Sequence, residues 1–359
     1  MSLGIDAAIA AETRLSSVDG EKGELIIRGH YLDHIAGVLD YEEVITELFQ
    51  DLLGNNLDPE IIRQQLSAAR HEIYEHFKHT DDQIKSLPVV DALRALLAKL
   101  EDANDLPTAI RLVAAPAVFT ALLIRARQGK SSIPPLTDAS HAQDILHMAG
   151  LDASEQHAQA LDTYLVTIID HGLNASTFTS RVVASTHAGL TSSAVAALSA
   201  LKGPLHGGAP GPVLDMLDAI GSAANARSWL EQTVRNGDRL MGFGHRIYKV
   251  RDPRADALKR AIDGLKDSSA IDSDRLNLAI NVERTALEVL KEFKPQKPLH
   301  TNVEFYTALL LDSLGFSRED FTCIFAIGRI GGWLAHAREQ YLYGRLIRPQ
   351  STYTGPKPN

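Results

Sequence analysis

The sequence predicts an all-α protein of more than one domain. Apolar residues recur at the spacing of one helix face through most of the chain, helix-start signals precede those segments, and strand signals are confined to one short stretch near the N-terminus. At roughly 100–200 residues per domain, 359 residues favour two domains.

In chain order, ELIIRGH after Asp19-Gly20 reads as a short hairpin element. Residues 41–53 (YEEVITELFQDLL) follow Asp40 as an N-cap, and DPEIIRQQL opens with Pro59 at a first helical position. VVASTHAGLTSSAVAALSALKG reads as one buried, small-residue helix; Ser, Thr, His and Lys interrupt it, and it falls short of the roughly 20 apolar residues a membrane span needs. In SDRLNLAINVERTALEVLKEF, Leu276, Ala279, Val282, Ala286, Leu290 and Phe293 step along one face. Ser317-x-x-Asp320 has the form of a capping box opening FTCIFAIGRIGGWLAHAREQYLYG.

Strands and helices do not alternate, which argues against a Rossmann or P-loop enzyme. The near-miss motifs agree. Gly242-Phe243-Gly244 lacks a third glycine at 247, Gly129-Lys130-Ser131 has isoleucine at 124 where a phosphate loop needs glycine, and no G-x-S-x-G elbow occurs. His71, His76 and His79 lie on a charged helical stretch where only His76 and His79 share a face, so they read as a surface cluster and no metal site is expected. A net charge of −9 speaks against general nucleic-acid binding, and an anionic ligand would need a local cluster of arginines. One cysteine, Cys323, excludes an internal disulfide framework and fits a reducing cytoplasm. MSLGIDAAIAAETRL has no basic region ahead of a long apolar core, so no signal peptide is expected.

Four stretches place His, Arg and carboxylate beside breaks between helices. LKGPLHGGAPGP holds His206 in a glycine–proline run that cannot be a helix interior, and it leads into a helix whose N-terminus favours negative charge. In LMGFGHRIYKVRDPRADAL, His245 follows a glycine turn and Asp252-Pro253 starts a helix. That puts Arg254 in the first turn, where a cation opposes the helix dipole unless an anion binds there. In LHTNVEFYTALLLDSLG, Glu304 is either a functional carboxylate or the closing residue of a capping box opened by Thr301. GRIGGW and LIRPQSTYTG supply Arg329 and Arg348, and IIDHGLNASTFTSR supplies His171 and a polar run ending at Arg181; each could equally be helix-end or surface charge.

LKGPLHGGA, GFGHRIYKVRDPR, TNVEFY, DHGLNAST and RIGGWLAH…RPQSTYTG, over essentially the whole chain, closely resemble the citrate synthase family in its short bacterial and archaeal form, close to citrate and 2-methylcitrate synthases. The resemblance implies a helical homodimer whose subunits have a large domain (1–208 and 316–359) and an inserted smaller one (209–315) that closes over acetyl-CoA and oxaloacetate. It implies His206, His245 and Glu304 as catalytic groups and His171, Arg254 and Arg329 as oxaloacetate ligands. Arg348 would be lent to the neighbouring subunit, and Lys249 and Arg251 are candidates for coenzyme A phosphates. It implies no metal and no cofactor beyond coenzyme A carried in the substrate; with the charge, the hydropathy and the single cysteine, no nucleic-acid or membrane partner and a cytoplasmic location are expected. Two departures stand out: Glu304 replaces the family's usual aspartate, and Ile168 stands where many relatives carry another histidine. Propionyl-CoA in place of acetyl-CoA is the alternative within the class, and a non-catalytic binder of coenzyme A or dicarboxylate the alternative outside it.

Overall fold

The structure, a computed structural model, describes residues 9–79, 81–207, 210–245, 247–265, 273–296 and 299–358. Among these residues are sixteen α-helices and one antiparallel three-stranded sheet, Ser16–Asp19, Glu24–Ile27 and His30–Tyr31. The expected hairpin thus gains a third strand. The predicted helix starts hold. Asp40 accepts from Glu43 N in a full capping box ahead of Tyr41–Phe49, and Pro59 follows the Asp58 cap of Pro59–Phe77. The first of these helices is shorter than the 41–53 expected, because the chain turns after Phe49.

The centre of the larger body is Phe321–Tyr343, which crosses Ala175–Ala184, Leu106–Arg127 and Glu155–Ile168 with Trp333 fully buried. The Ser317–Asp320 box forms, but it opens a single 3₁₀ turn, Arg318–Asp320, before this helix begins. Leu106–Arg127 is, among the described residues, the one helix long and apolar enough to cross a membrane; 89% of its apolar window is buried inside the fold, as befits a core helix.

Two expectations fail here. The small-residue segment is not one helix: Ala175–Ala184 and Leu190–Leu201 are separated by a turn at 185–189, where His187 has φ 65°. The two helices pack on each other, so alanine and serine give the close approach of a hairpin rather than one long rod. Phe293, the last residue of the predicted apolar stripe, is at the surface beneath the Arg235 guanidinium, while Leu276, Ala279, Val282, Ala286 and Leu290 are buried as expected.

Gly211–Ile220, Ala223–Arg235, Pro253–Leu265, Ser273–Phe293 and Val303–Ser313 pack on one another, and Pro253–Leu265 also lies along Glu155–Ile168 of the larger body. Residues 208 and 209, where the expected domain boundary falls, lie outside the described residues.

Candidate active site

His206 sits on the turn after Leu190–Leu201. Its N–H donates to the Gly203 carbonyl at 2.9 Å, and Gly207 N donates to the Leu201 carbonyl at 2.8 Å. A side chain at Gly207 would put Cβ 2.6 Å from that carbonyl oxygen, so glycine is what lets the turn close. The imidazole Nε2 lies 2.8 Å from Ser176 Oγ, which accepts from Trp333 Nε1 at 3.0 Å and lies 2.8 Å from Asn174 Oδ1. The single Ser176 proton therefore has two acceptors. When it goes to His206, the ring carries its own proton on Nδ1.

His245 is held by a different device. Gly242 and Gly244 have φ 83° and 82°, and the turn they make presents the His245 Nδ1 to the N–H groups of Ile247 (3.0 Å) and Tyr248 (3.1 Å). Accepting both fixes the tautomer, and a neutral ring then carries its proton on Nε2. That nitrogen stands 3.1 Å from Arg254 Nη2, so two donors converge on a point where an oxygen would satisfy both.

Arg254 is buried in the first helical turn because Asp252 holds it there. Its Nε and Nη2 donate to the two Asp252 oxygens at 3.0 and 2.8 Å, while its own N–H is capped by Asp252 Oδ1 at 3.0 Å. Asp252 thus takes the Nε–Nη2 edge of the guanidinium and sets its direction, leaving Nη1 and the outer edge for an anion. His171 is buried beside these groups, its Nε2 3.1 Å from the Tyr248 hydroxyl and its ring 6.0 Å from that of His245.

Arg329 is 1% exposed. It donates from Nε to the Ile168 carbonyl and lies over the Phe325 ring at 5.0 Å. Among the described residues no carboxylate is within ion-pair distance of it. Burial lowers its pKa to about 10 even so, which marks a cation that an anionic ligand would stabilise. Ile168, the second departure from the family pattern, thus contributes its main chain to the site.

Glu304 does not close a capping box. Asn302, not Thr301, caps Val303–Ser313, accepting from Glu304 N at 3.1 Å, while Thr301 Oγ1 donates to Glu283. The error has a local cause: Thr301 and Asn302 are both good cap residues, and the one nearer the helix takes the role. Freed from capping, the Glu304 side chain is half-buried, with Oε2 itself shut off from solvent and unpartnered. Burial raises its pKa above the ordinary 4.5, although Arg254 draws it down. Burial also lowers His206 and His245 to about 4, aided by Arg329 and Arg254 respectively, and holds His171 well below its usual value. Burial and the Arg329 cation thus both favour a neutral His206. All three rings are neutral at pH 7.

The remaining expected residues lie at the edge. Lys249 is exposed, with its N–H donating to the Gly20 carbonyl of the N-terminal hairpin at 2.8 Å; Arg251 is half-buried and paired with Asp256. Arg348 does not join the cluster: it is exposed on the extended segment after the last helix. Arg181 is structural, bonded to His336, Glu339 and Gln340. Ser176, Tyr248 and Asp252 were not anticipated as site partners, although each lies inside a stretch singled out for its neighbours. No group of three His, Cys, Asp or Glu side chains converges as a metal would require among the described residues, and His76 is exposed, with Nδ1 against the Glu72 carbonyl.

The family described as "Citrate synthase, C-terminal domain" matches residues 4–350. The chain belongs to the citrate synthase family. It is 35% identical to citrate synthase 2 of Bacillus subtilis over 98% of this chain and 95% of that one, and 34% identical to the citrate synthase of Haloferax volcanii over 99% and 96%. Among solved structures, citrate synthase from Thermotoga maritima superposes with a TM-score of 0.85 at 32% identity, covering 100% of this chain and 97% of that one. The citrate synthase of Thermoplasma acidophilum, solved as a ternary complex with carboxymethyl coenzyme A and oxaloacetate, gives 0.85 at 28% identity over 99% and 96%. Citrate synthase-type condensation therefore describes the chemistry of this fold.

Proposed function

We propose that the protein condenses acetyl-CoA with oxaloacetate and water to give citrate and coenzyme A. The observation that carries this reading is the buried, unpartnered Oε2 of Glu304, a carboxylate kept for a proton among neutral imidazoles and buried guanidinium groups. Glu304 takes a proton from the acetyl methyl. The thioester oxygen gains charge as the enolate forms and is stabilised by a hydrogen bond from His206, neutral and held by its glycine turn. The enolate carbon attacks the ketone of oxaloacetate, and the ketone oxygen takes the proton of His245 Nε2, with Arg254 donating to the same oxygen. Arg329 and His171 hold the carboxylates of oxaloacetate, with Arg348 arriving from a second subunit. Water then cleaves the citryl thioester, releasing coenzyme A as the thiol.

In this reading the helices between 209 and 315 form the closing domain, Lys249 and Arg251 meet the phosphates of coenzyme A, and the protein works as a homodimer in the cytoplasm. Coenzyme A release is measured with oxaloacetate and either acetyl-CoA or propionyl-CoA. A higher kcat/KM for acetyl-CoA is expected; a clear preference for propionyl-CoA would make the enzyme a 2-methylcitrate synthase. Glu304→Gln is expected to lower kcat by about 10²–10⁴ with folding intact, the usual contribution of a positioned base. Unchanged turnover in that variant would sink the assignment of the base.

A further inference from the structure

The helix that carries Glu304 is tied down at its start by a carboxylate from another helix. Glu283, on Ser273–Phe293, is buried, and both of its oxygens are engaged. Thr301 Oγ1 donates to Oε1 at 2.7 Å, and the Tyr306 hydroxyl donates to Oε2 at 2.6 Å. Thr301 lies three residues before Glu304 and Tyr306 two after it, so the two bonds straddle the base. A buried carboxylate is costly unless its lone pairs are satisfied. Here two neutral hydroxyls satisfy them, and among the described residues no cation is within ion-pair distance.

Each bond reaches further than its own residue. Thr301 pairs with Phe243 across an isolated antiparallel bridge, with Gly244 N donating to the His300 carbonyl at 2.7 Å and Asn302 N to the Gly242 carbonyl at 2.9 Å. Asn302 Nδ2 adds a bond to the Gly244 carbonyl at 2.8 Å. Whatever fixes Thr301 therefore also fixes the glycine turn that presents His245. On the other side, the Tyr306 hydroxyl also interacts with Arg251.

We propose that Glu283 is a positioning residue for the reaction: by holding Thr301 and Tyr306 it sets where the Glu304 carboxylate lies relative to His245. A glutamate base has one more rotatable bond than an aspartate, so its reach depends more on a backbone that does not move. The inference rests on the reading of Glu304 as the base.

Three variants test it, with initial rates measured on acetyl-CoA and on its methyl-trideuterated form. Glu283→Met removes both ties at similar volume. Glu283→Gln keeps both, because a hydroxyl can accept from the amide as readily as it donates to the carbonyl. Tyr306→Phe removes one tie and is the reserve should Glu283→Met not fold. Glu283→Met is expected to lose about ten- to hundredfold in kcat, the cost of a misplacement near 1 Å. KM for oxaloacetate should stay within about twofold and the deuterium effect on kcat should rise, since proton abstraction is slowed more than substrate binding. Glu283→Gln should stay within about threefold of wild type. A folded Glu283→Met with wild-type kcat overturns the inference, as does a fall in kcat with an unchanged isotope effect, which marks loss of active protein rather than a displaced base. The same two outcomes in Tyr306→Phe decide the reserve. A wild type without turnover overturns the functional reading, and with it the base that Glu283 is said to place.

Discussion

Burial acts on Glu304 and on the histidines around it in opposite directions, and both directions suit the proposed reaction. The carboxyl is raised above 4.5 by loss of water, while His206 and His245 are lowered to about 4, so on acidification the carboxyl takes up its proton before either ring. The sign of the pH dependence follows. The base must be deprotonated to work, so kcat/KM should fall as pH drops through the raised carboxyl value, before either ring gains a proton. A carboxyl ionises with almost no heat and an imidazole with a large one, so the acid limb should hardly move when the assay is cooled or warmed. A limb that shifts strongly with temperature would assign it to a histidine instead. Much of this was legible beforehand, since His206, His245 and Glu304 all stand at helix breaks rich in Gly, Pro or cap residues. What was not legible is how each is held. Neither Ser176 against His206 nor Glu283 against Thr301 follows from spacing, because those contacts join residues 30 and 18 apart through the packing of separate helices.

At the scale of elements, one crossing sets where Arg329 stands, on the side of the site that the proposed function gives to the oxaloacetate carboxylates. Phe321–Tyr343 approaches the end of Glu155–Ile168 closely because Gly328 and Gly332 carry no side chain. A Cβ at Gly332 would lie 2.2 Å from the Ile169 carbonyl oxygen, and one at Gly328 would lie 2.6 Å from Ile168 Cδ1. That closeness puts Arg329 Nε against the Ile168 carbonyl. In GRIGGW the arginine was the residue singled out, whereas the glycines around it decide where it points. Gly332→Ala must push the two backbones apart, and overpacking of this kind typically costs about 1–3 kcal/mol. A lower unfolding midpoint with a raised KM for oxaloacetate is the expected pair of results. A midpoint and KM equal to wild type would mean that the crossing tolerates a methyl and does not set Arg329. The two elements misread from the sequence have different causes. Neither is marked by proline: the break at 185–189 closes a hairpin of two packed helices, and the cap goes to Asn302 because it stands nearer its helix than Thr301.

The whole molecule leaves one expected site residue without a place in its own subunit. After Phe321–Tyr343 the chain runs extended to residue 358, tied back by Ile347 N to Ser185 Oγ and by Gln340 Nε2 to the Arg345 carbonyl, with Leu346, Arg348 and Tyr353 exposed. Apolar side chains on an extended tail bury themselves only against another surface, and a two-fold dimer gives each tail the same one. In that arrangement every site is built from the body of one subunit and Arg348 of the other. Complementation reads this directly. Arg348→Ala and His245→Ala should each be nearly inactive as pure proteins, the first from losing the lent guanidinium and the second from losing the ketone's proton donor. Unfolded and refolded together in equal amounts, half of the dimers are mixed, and each mixed dimer has one site with both groups intact. Random pairing then predicts about a quarter of wild-type activity from two inactive parents. If the tail served its own subunit, no mixture could restore a site, because each subunit's own site would lack either His245 or Arg348. Activity that stays at the level of the parents would therefore return Arg348 to its own chain.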